Sequence, residues 1–83
     1  KQFHVNILTP EGKIFEGDVV ALIVPAALGY LGVLANHAPL AANLTAGKII
    51  LRGSFGPQAV IYNKGKGFLA VVKNNAVMLL DSA

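Results

Sequence analysis

The chain has no cysteine, no tryptophan and one methionine among its 83 residues. Without thiols there is no disulfide framework to staple a small fold, no thiolate nucleophile and no cysteine-based metal site, a usage that fits a reducing compartment. Charge is scarce as well: Asp, Glu, Lys and Arg make up 13% of the residues, about half the usual ~25%. What replaces charge is apolar surface, at 54% hydrophobic residues and a mean hydropathy of +0.60. A composition of this kind excludes disorder, and the length sets the expectation of one domain over residues 1–83. So few solvating groups cannot cover the apolar surface that a small domain leaves outside, so part of that surface is expected to lie against a partner.

The net charge is +3, but the basic residues Lys1, Lys13, Lys48, Arg52, Lys64, Lys66 and Lys73 are scattered singly. Tracking a phosphate backbone takes several cations acting together, so no nucleic-acid partner is expected. No secretory signal is expected either, since the chain opens at Lys1 with a polar, alternating segment. Between Asp18 and Lys48 no residue carries a formal charge, and Val19 to Ala35 is an unbroken run of apolar residues, Tyr, Gly and Pro. A membrane-spanning helix needs about 20 such residues, and Pro25, Gly29 and Gly32 interrupt this shorter run, which therefore reads as buried strands joined by a loop. The same charge gap implies a stretch hidden from water twice, in the core and in an interface.

The dominant period is two. Phe3, Val5, Ile7 and Thr9 alternate with His4, Asn6 and Leu8; Pro10-Glu11-Gly12 forms a turn, and Lys13 to Gly17 resumes as a strand. Val19 to Val24 is apolar on both faces, as in a strand covered on both sides, with Pro25 as its end. Ala26 to Gly29 is then a loop, Tyr30 to Leu34 a short strand, and Ala35 to Pro39 a loop in which Asn36 takes the left-handed conformation. Lys48 to Arg52, Gln58 to Asn63, Phe68 to Lys73 and Ala76 to Asp81 are four further strand-like runs. Their spacing describes a meander of hairpins, with Lys64-Gly65-Lys66-Gly67 as one hairpin turn and Asn74-Asn75 as the central pair of a type I′ turn. No stretch carries a helical stripe. The pattern predicts an all-β fold, an antiparallel β-sandwich or flattened barrel of about ten short strands.

Catalytic chemistry finds little support. His4 alternates with core residues and has a solvated or cross-strand role; His37, on a loop, is better placed, but two His, no Cys and four scattered carboxylates do not make a metal centre. Neither Ser54 nor Ser82 lies in a nucleophile elbow. Glu16 and Asp18 share one side of a strand and read as solvated edge charges rather than an acid pair around a cleft. The segment from Lys64 to Gly67 lacks the Ser or Thr and the helix of a phosphate-binding loop. Tyr30 is either an anchor for a partner or a core ring with its hydroxyl at the edge. No catalytic residue, cofactor or metal is expected.

Three segments resemble one family. Gly29-Tyr30-Leu31-Gly32-Val33-Leu34-Ala35-Asn36-His37-Ala38-Pro39-Leu40 resembles the G-x-L/F-G-V/I-L-x-G/N-H-A-P segment of the epsilon subunit of F-type ATP synthases. Val5 to Gly17 is similar to that family's opening V-x-I-V-T-P-E-G-x-x-[YF]-x-G, and Gly67-Phe68-Leu69-Ala70-Val71 to its G-G-F-L-x-V. The resemblance implies a ten-stranded sandwich at the foot of the rotating central stalk, a noncatalytic rotor subunit that binds the gamma subunit and the c-subunit ring and couples ion translocation to ATP synthesis. It also implies a peripheral position, without a transmembrane span, on the cytoplasmic face of a bacterial inner membrane or the equivalent organellar face. Carried onto this chain, Leu28, Gly29, Tyr30 and Leu31 would face the c ring, and Thr9 with Asn36, His37, Ala38, Pro39 and Leu40 would lie against gamma. Tyr30 stands where many members have an acid, so an aromatic or cation–π contact would replace an ion pair, and Lys66 interrupts the family's adjacent glycines. The family commonly continues into a C-terminal helical hairpin that restrains ATP hydrolysis; the sequence ends at Ala83, and no such regulatory role is expected of these residues. The alternative class is a free-standing β-sandwich module for ligand binding or adhesion, which predicts an enclosed pocket and no affinity for gamma, and an enzyme comes third.

Overall fold

In the computed structural model, which describes residues 1–82, the alternating start of the chain is strand β1 (Phe3–Thr9), with Phe3, Val5 and Ile7 buried and His4 and Asn6 turned outward. It pairs antiparallel with β2 (Gly12–Val19) through a tight connection at Pro10-Glu11. β3 (Ala21–Ala26) and β4 (Gly29–Leu34) form a second hairpin, and β6 (Gly47–Gly53) and β7 (Gly56–Asn63) a third. All three use one device, in which two residues at ordinary negative φ are followed by a glycine at positive φ: Gly12 at 133°, Gly29 at 122° and Gly56 at 126°. A β-carbon would oppose that conformation, so the glycine after each tip sets the register of its hairpin. β5 (Leu40–Leu44), β8 (Gly67–Val72) and β9 (Asn75–Leu80) complete nine strands among the described residues, one fewer than the sequence count.

The hydrogen-bonded order is β2-β1-β9-β8-β5-β3-β6-β7, with β4 on the other side of β3. The join between β5 and β3 is a single pair, Leu44 with Ala26, and there the sheet turns a corner. It folds β2-β1-β9-β8-β5 over β4-β3-β6-β7, and the alternate inward residues of both layers meet in one core. That core includes Val5, Ile7, Val19, Leu22, Val24, Ile49, Leu51, Leu69 and Met78, all fully buried. Each such side chain is worth roughly 1.5 to 3 kcal/mol of burial, which is what holds a chain of this length folded. All-β architecture and sandwich layering are as the sequence predicts.

Several details differ. The pairing is not wholly antiparallel: β1 lies parallel to β9, His4 to Leu8 alongside Asn75 to Leu79, because the chain returns from the far layer before β9 is laid down. Val19 to Val24 is not one strand. It bends at Val20, whose N–H donates to the Arg52 carbonyl at 2.8 Å, so one apolar run serves both layers and only its alternate residues are fully buried. Pro25 does not end β3. It falls between the last β6 pair, at Ile23, and the β5 contact, at Ala26, where its carbonyl accepts the Thr45 N–H at 2.9 Å and no ladder N–H is needed on that side. The loop after it shrinks to Ala27-Leu28, since Ala26 and Gly29 already pair. β5 carries too little patterning to be recognised in sequence, with Ala41 and Asn43 exposed and only Leu44 fully buried.

The last third is not a meander. β7 and β8 do not pair; β8 sits between β5 and β9, so Lys64 to Lys66 is a crossover between layers rather than a hairpin turn. The buried Asn63 holds it, donating to the Thr45 carbonyl at 2.9 Å and accepting the Gly65 N–H at 3.3 Å. The β8–β9 turn is of the type foreseen but one residue earlier: its central residues are Lys73 (φ 49°) and Asn74 (φ 61°), between the paired Val72 and Asn75. Asparagine tolerates this conformation, and lysine has no local side-chain bond to offset it. Replacing Lys73 with Gly is therefore expected to stabilise the domain by about 1 kcal/mol, measured by urea unfolding; a loss of stability would show that Lys73 is unstrained.

Candidate functional site

The β3–β4 hairpin projects Leu28 fully into solvent at its tip. Behind the tip Leu31 turns inward onto the core, while Tyr30, 61% exposed, reaches back so that its hydroxyl accepts the Lys48 N–H at 3.3 Å. Leu28, Gly29, Tyr30 and Leu31 thus come together, and with Ala42 and Asn43 of β5 they line a surface groove of about 360 Å³. Tyr30 combines both roles weighed for it: its hydroxyl has a structural partner and most of its surface is free.

The second loop leaves β4 at Leu34. Asn36 is left-handed, at φ 64°, as the sequence suggests. Its N–H donates to the Asn74 side-chain oxygen at 2.6 Å, and Asn74 returns a bond from its amide nitrogen to Asn36 Oδ1 at 3.0 Å. The carbonyl of Asn74 also accepts the His4 N–H at 2.9 Å. One asparagine therefore ties the loop, the β8–β9 turn and the start of β1 together, a role invisible in a sequence where Asn74 looks like turn chemistry alone. His37 donates from its backbone to the Leu34 carbonyl at 3.3 Å, and its Nδ1 lies 2.7 Å from the Ala38 carbonyl, an arrangement that fixes the protonated nitrogen. Ala38 and Pro39 are exposed, whereas Leu40 packs against the core.

Thr9 is not brought to that loop. Leu40 shares a row with Val71, Ala76 and Val5, while Thr9 lies beyond the row of Leu8, Leu79, Phe68 and Asn43, about 13 Å further along the strands at ~3.3 Å per residue. Its hydroxyl serves its own turn, accepting the Glu11 N–H at 3.2 Å. Thr9 instead lines a different groove, of about 480 Å³, with Leu8, Pro10, Phe68 and Leu79.

A cluster of titratable residues lies elsewhere, between β1 and the edge strand β2. His4 Nδ1 lies 2.9 Å from Asp18 Oδ1, and Nε2 lies 2.8 Å from Glu16 Oε2; Lys13 closes the chain onto Glu16. Register places all of them, because His4 pairs with Asp18 and Asn6 with Glu16. Both ring nitrogens face acceptors, and only the imidazolium donates from both. The bonds to Asp18 first and Glu16 second hold the His4 pKa above its ordinary value, and Lys13 and then His4 hold Glu16 below its own. His4 is thus the cross-strand residue expected from sequence, and its carboxylates flank it on opposite sides rather than converging on a point where a metal or a substrate would sit.

The family model of the ATP synthase delta/epsilon chain beta-sandwich domain matches residues 2–83. The chain is 41% identical over 81 residues to the ATP synthase epsilon chain of Dichelobacter nodosus, covering 98% of this chain and 56% of that one. It is 38% identical over 80 residues to the epsilon chain of Halalkalibacterium halodurans, covering 96% and 59%. It thus spans a little over half the length of these relatives. Among solved structures, its fold is similar to a chain in the cryo-EM structure of the Euglena gracilis mitochondrial ATP synthase OSCP/F1/c-ring (TM-score 0.86, 20% identity, 95% of this chain and 50% of that one). A chain in the Tetrahymena thermophila mitochondrial ATP synthase central stalk/c-ring structure is also similar (TM-score 0.80, 11% identity, 99% and 65%).

The His4 cluster predicts how the β2 edge responds to pH. His4, with its pKa raised, stabilises fully below the unfolded value of about 6.5 and loses that contribution as pH rises through the folded value. Glu16, with its pKa lowered, stabilises fully above about 4.5 and loses its contribution as pH falls through the folded value. Amides of β1 and β2 are therefore expected to be better protected from hydrogen exchange at pH 6 than at pH 8.5, after correction for intrinsic rates, and His4→Gln to remove the difference. Equal protection at the two pH values in the unmodified chain would contradict the clamp.

Proposed function

The chain belongs to the delta/epsilon-chain beta-sandwich family of ATP synthases, and from that premise we propose that it serves as a noncatalytic rotor subunit of the central stalk, binding the gamma subunit and the c ring and linking ion translocation to ATP synthesis. The observation that carries this reading is the match of one family model across residues 2–83. The physical character of the fold supports it. A body that transmits torque must be stiff, and here every strand is hydrogen-bonded, the loops are short and the core is continuous.

The exposed tip at Leu28 with Gly29, Tyr30 and Leu31 faces the c ring, and the loop of Asn36, His37, Ala38, Pro39 and Leu40 faces gamma. In this reading Ala38 and Pro39 make the direct contacts, and Leu40 and Asn36 hold the loop from beneath. Thr9 meets gamma as a separate patch, further along the strands of the β1 layer. The subunit sits peripherally on the membrane that holds the ring, the cytoplasmic face of a bacterial inner membrane or its organellar equivalent; among the described residues no helix is long and apolar enough to cross a membrane.

Two variants test the two contacts. Ala38→Glu with Pro39→Asp alters exposed side chains only, and is expected to weaken binding of the purified gamma subunit by about tenfold or more in calorimetric titration; unchanged affinity would remove the loop from the interface. Leu28→Asp changes a side chain in open solvent, so unfolding should move by no more than about 0.5 kcal/mol. Proton pumping driven by ATP in vesicles carrying the assembled complex should fall, and unaltered pumping would exclude the tip as a ring contact.

A further inference from the structure

Among the described residues three strands are hydrogen-bonded on one side only: β2, β7 and β4. An open edge presents a row of N–H and C=O groups that another strand can take up, and proteins guard such edges with charge, proline or a bulge. β2 carries Lys13, Glu16 and Asp18, and its register with β1 breaks between Ile7 and Leu8. β7 carries Pro57, and its register with β6 breaks between Leu51 and Arg52. β4, the run Gly29-Tyr30-Leu31-Gly32-Val33-Leu34, has no charge, no proline and an unbroken register with β3.

The direction of its free groups follows from β3. Pro25 has no N–H, and its carbonyl accepts the Thr45 N–H at 2.9 Å, so the backbone of Pro25 points away from β4. In an antiparallel ladder the residue opposite such a residue points away as well, and the pattern repeats at every second position. Tyr30, Gly32 and Leu34, paired with Pro25, Ile23 and Ala21, therefore aim their N–H and C=O groups at the open side. The Leu34 carbonyl accordingly accepts from His37, at 3.3 Å, rather than from β3. Among the described residues no backbone group takes up those of Tyr30 or Gly32.

Gly32, at the centre of this edge, has no reason inside the fold. Glycine weakens a strand interior, its φ here is ordinary, and a β-carbon built on it would meet nothing within 4 Å. The other strand glycines are accounted for. Gly12, Gly29, Gly47 and Gly56 have positive φ, and at Gly17, Gly53 and Gly67 a β-carbon would come within 3.3, 3.2 and 2.8 Å of a neighbouring side chain. A strand glycine without an internal reason marks a close approach by another backbone.

We infer that the open edge of β4 pairs antiparallel with β4 of a second copy of this chain, about a two-fold axis at Gly32. The strand is self-complementary in that register, as an isologous contact demands. Gly32 stands opposite its own copy, where no side chain meets itself. Tyr30, on the outer face, stands opposite Leu34 of the second copy, an aromatic–aliphatic cross-strand pair, and Leu31 stands opposite Val33 on the inner face. The three residues whose backbone groups are free, Tyr30, Gly32 and Leu34, fall on the positions that exchange bonds, and a carbonyl has a second lone pair for the Leu34 bond. The absence of charge on β4 suits a copy of itself, since no repulsion arises at the axis. Six residues a side make a small interface, in the transient class below about 1,200 Å², so the dimer belongs to the free chain at high concentration. It covers Tyr30 and thereby excludes the ring contact proposed above, but it stands whether or not that contact is made.

The test uses the axis. Sedimentation equilibrium of the unmodified chain, carried up to about 1 mM as a transient interface requires, should show a reversible monomer–dimer equilibrium. Gly32→Lys and Gly32→Glu each place like charges opposite one another at the two-fold, and each alone should weaken association about tenfold or more. An equimolar mixture of the two should dimerise again, because only a residue facing its own copy is rescued by the opposite charge at the same position. Both variants should melt as the unmodified chain does, since open space surrounds the new side chain. If either unfolds, hydrogen exchange in the unmodified chain decides: raising its concentration should slow exchange at Tyr30, Gly32 and Leu34 and leave Lys13 to Asp18 unchanged. A chain that stays monomeric throughout overturns the proposal. So does a dimer indifferent to both Gly32 variants, or a mixture that fails to associate, since either places the contact elsewhere. Slowed exchange at the three amides on adding purified gamma, with none on concentrating the chain alone, would give the edge to a different strand and overturn the second copy as its occupant.

Discussion

The inward alternation of two sheet layers onto a single core is the constraint from which the other properties of this domain descend. Each strand has only one face to give to that core, and a chain of this length has no third layer to cover the opposite faces. The sheet must therefore turn its corner at Leu44 and Ala26 to bring Val5, Ile7, Leu69 and Met78 against Leu22, Val24, Ile49 and Leu51. Once it has done so, both outer faces are left to solvent or to a partner, and on these strands they are apolar: Phe68, Val72, Val77 and Leu79 outside one layer, Tyr30, Leu34, Val60 and Tyr62 outside the other. Scarce charge and uncovered sheet faces are thus one fact seen at two levels.

The few polar groups go where the ladder cannot satisfy itself. Asn63 is buried at the crossover and bonds on both sides of it. Asn36 and Asn74, both left-handed, bond to each other and replace the backbone pairing lost where β4 gives way to a loop. Glu16, Asp18 and Lys13 stand on β2, an edge strand, with His4 of β1 bonded across to the two acids, and charge there discourages the addition of a foreign strand. The result has short loops, satisfied corners and a guarded edge. Stiffness of this kind suits a part whose proposed work is to carry load between two neighbours rather than to change shape.

Family membership and fold came within reach of the sequence because they depend on local rules. The alternation of Phe3 to Thr9, the Gly-Tyr-Leu-Gly-Val-Leu run and the glycine after each hairpin tip act over a few residues, and such signals survive without knowledge of the fold. The left-handed Asn36 belongs to the same class. Legibility stopped where the determining contact was distant in sequence. The strand Leu40 to Leu44 has weak alternation and exists because β8 pairs with it. Pro25 sits within a strand because the neighbouring ladder is interrupted at that point, which no local rule reports. The type of the β8–β9 turn was legible, but its position shifted by one residue because pairing of Val72 with Asn75 outweighed the preference of asparagine for both central sites.

The sequence by itself determined an all-β fold with an apolar, nearly uncharged middle, and it placed the turn at Pro10-Glu11 and the left-handed Asn36, because period-two patterning and turn chemistry are properties of neighbouring residues. The tertiary structure alone decided which residues stand together: that Thr9 lies far along the strands from the Pro39 loop, that His4 meets two carboxylates, and that Gly32 opens onto empty space between Tyr30 and Leu34. Those are outcomes of register and of the corner between layers, where one hydrogen-bonded pair fixes the direction of everything beyond it.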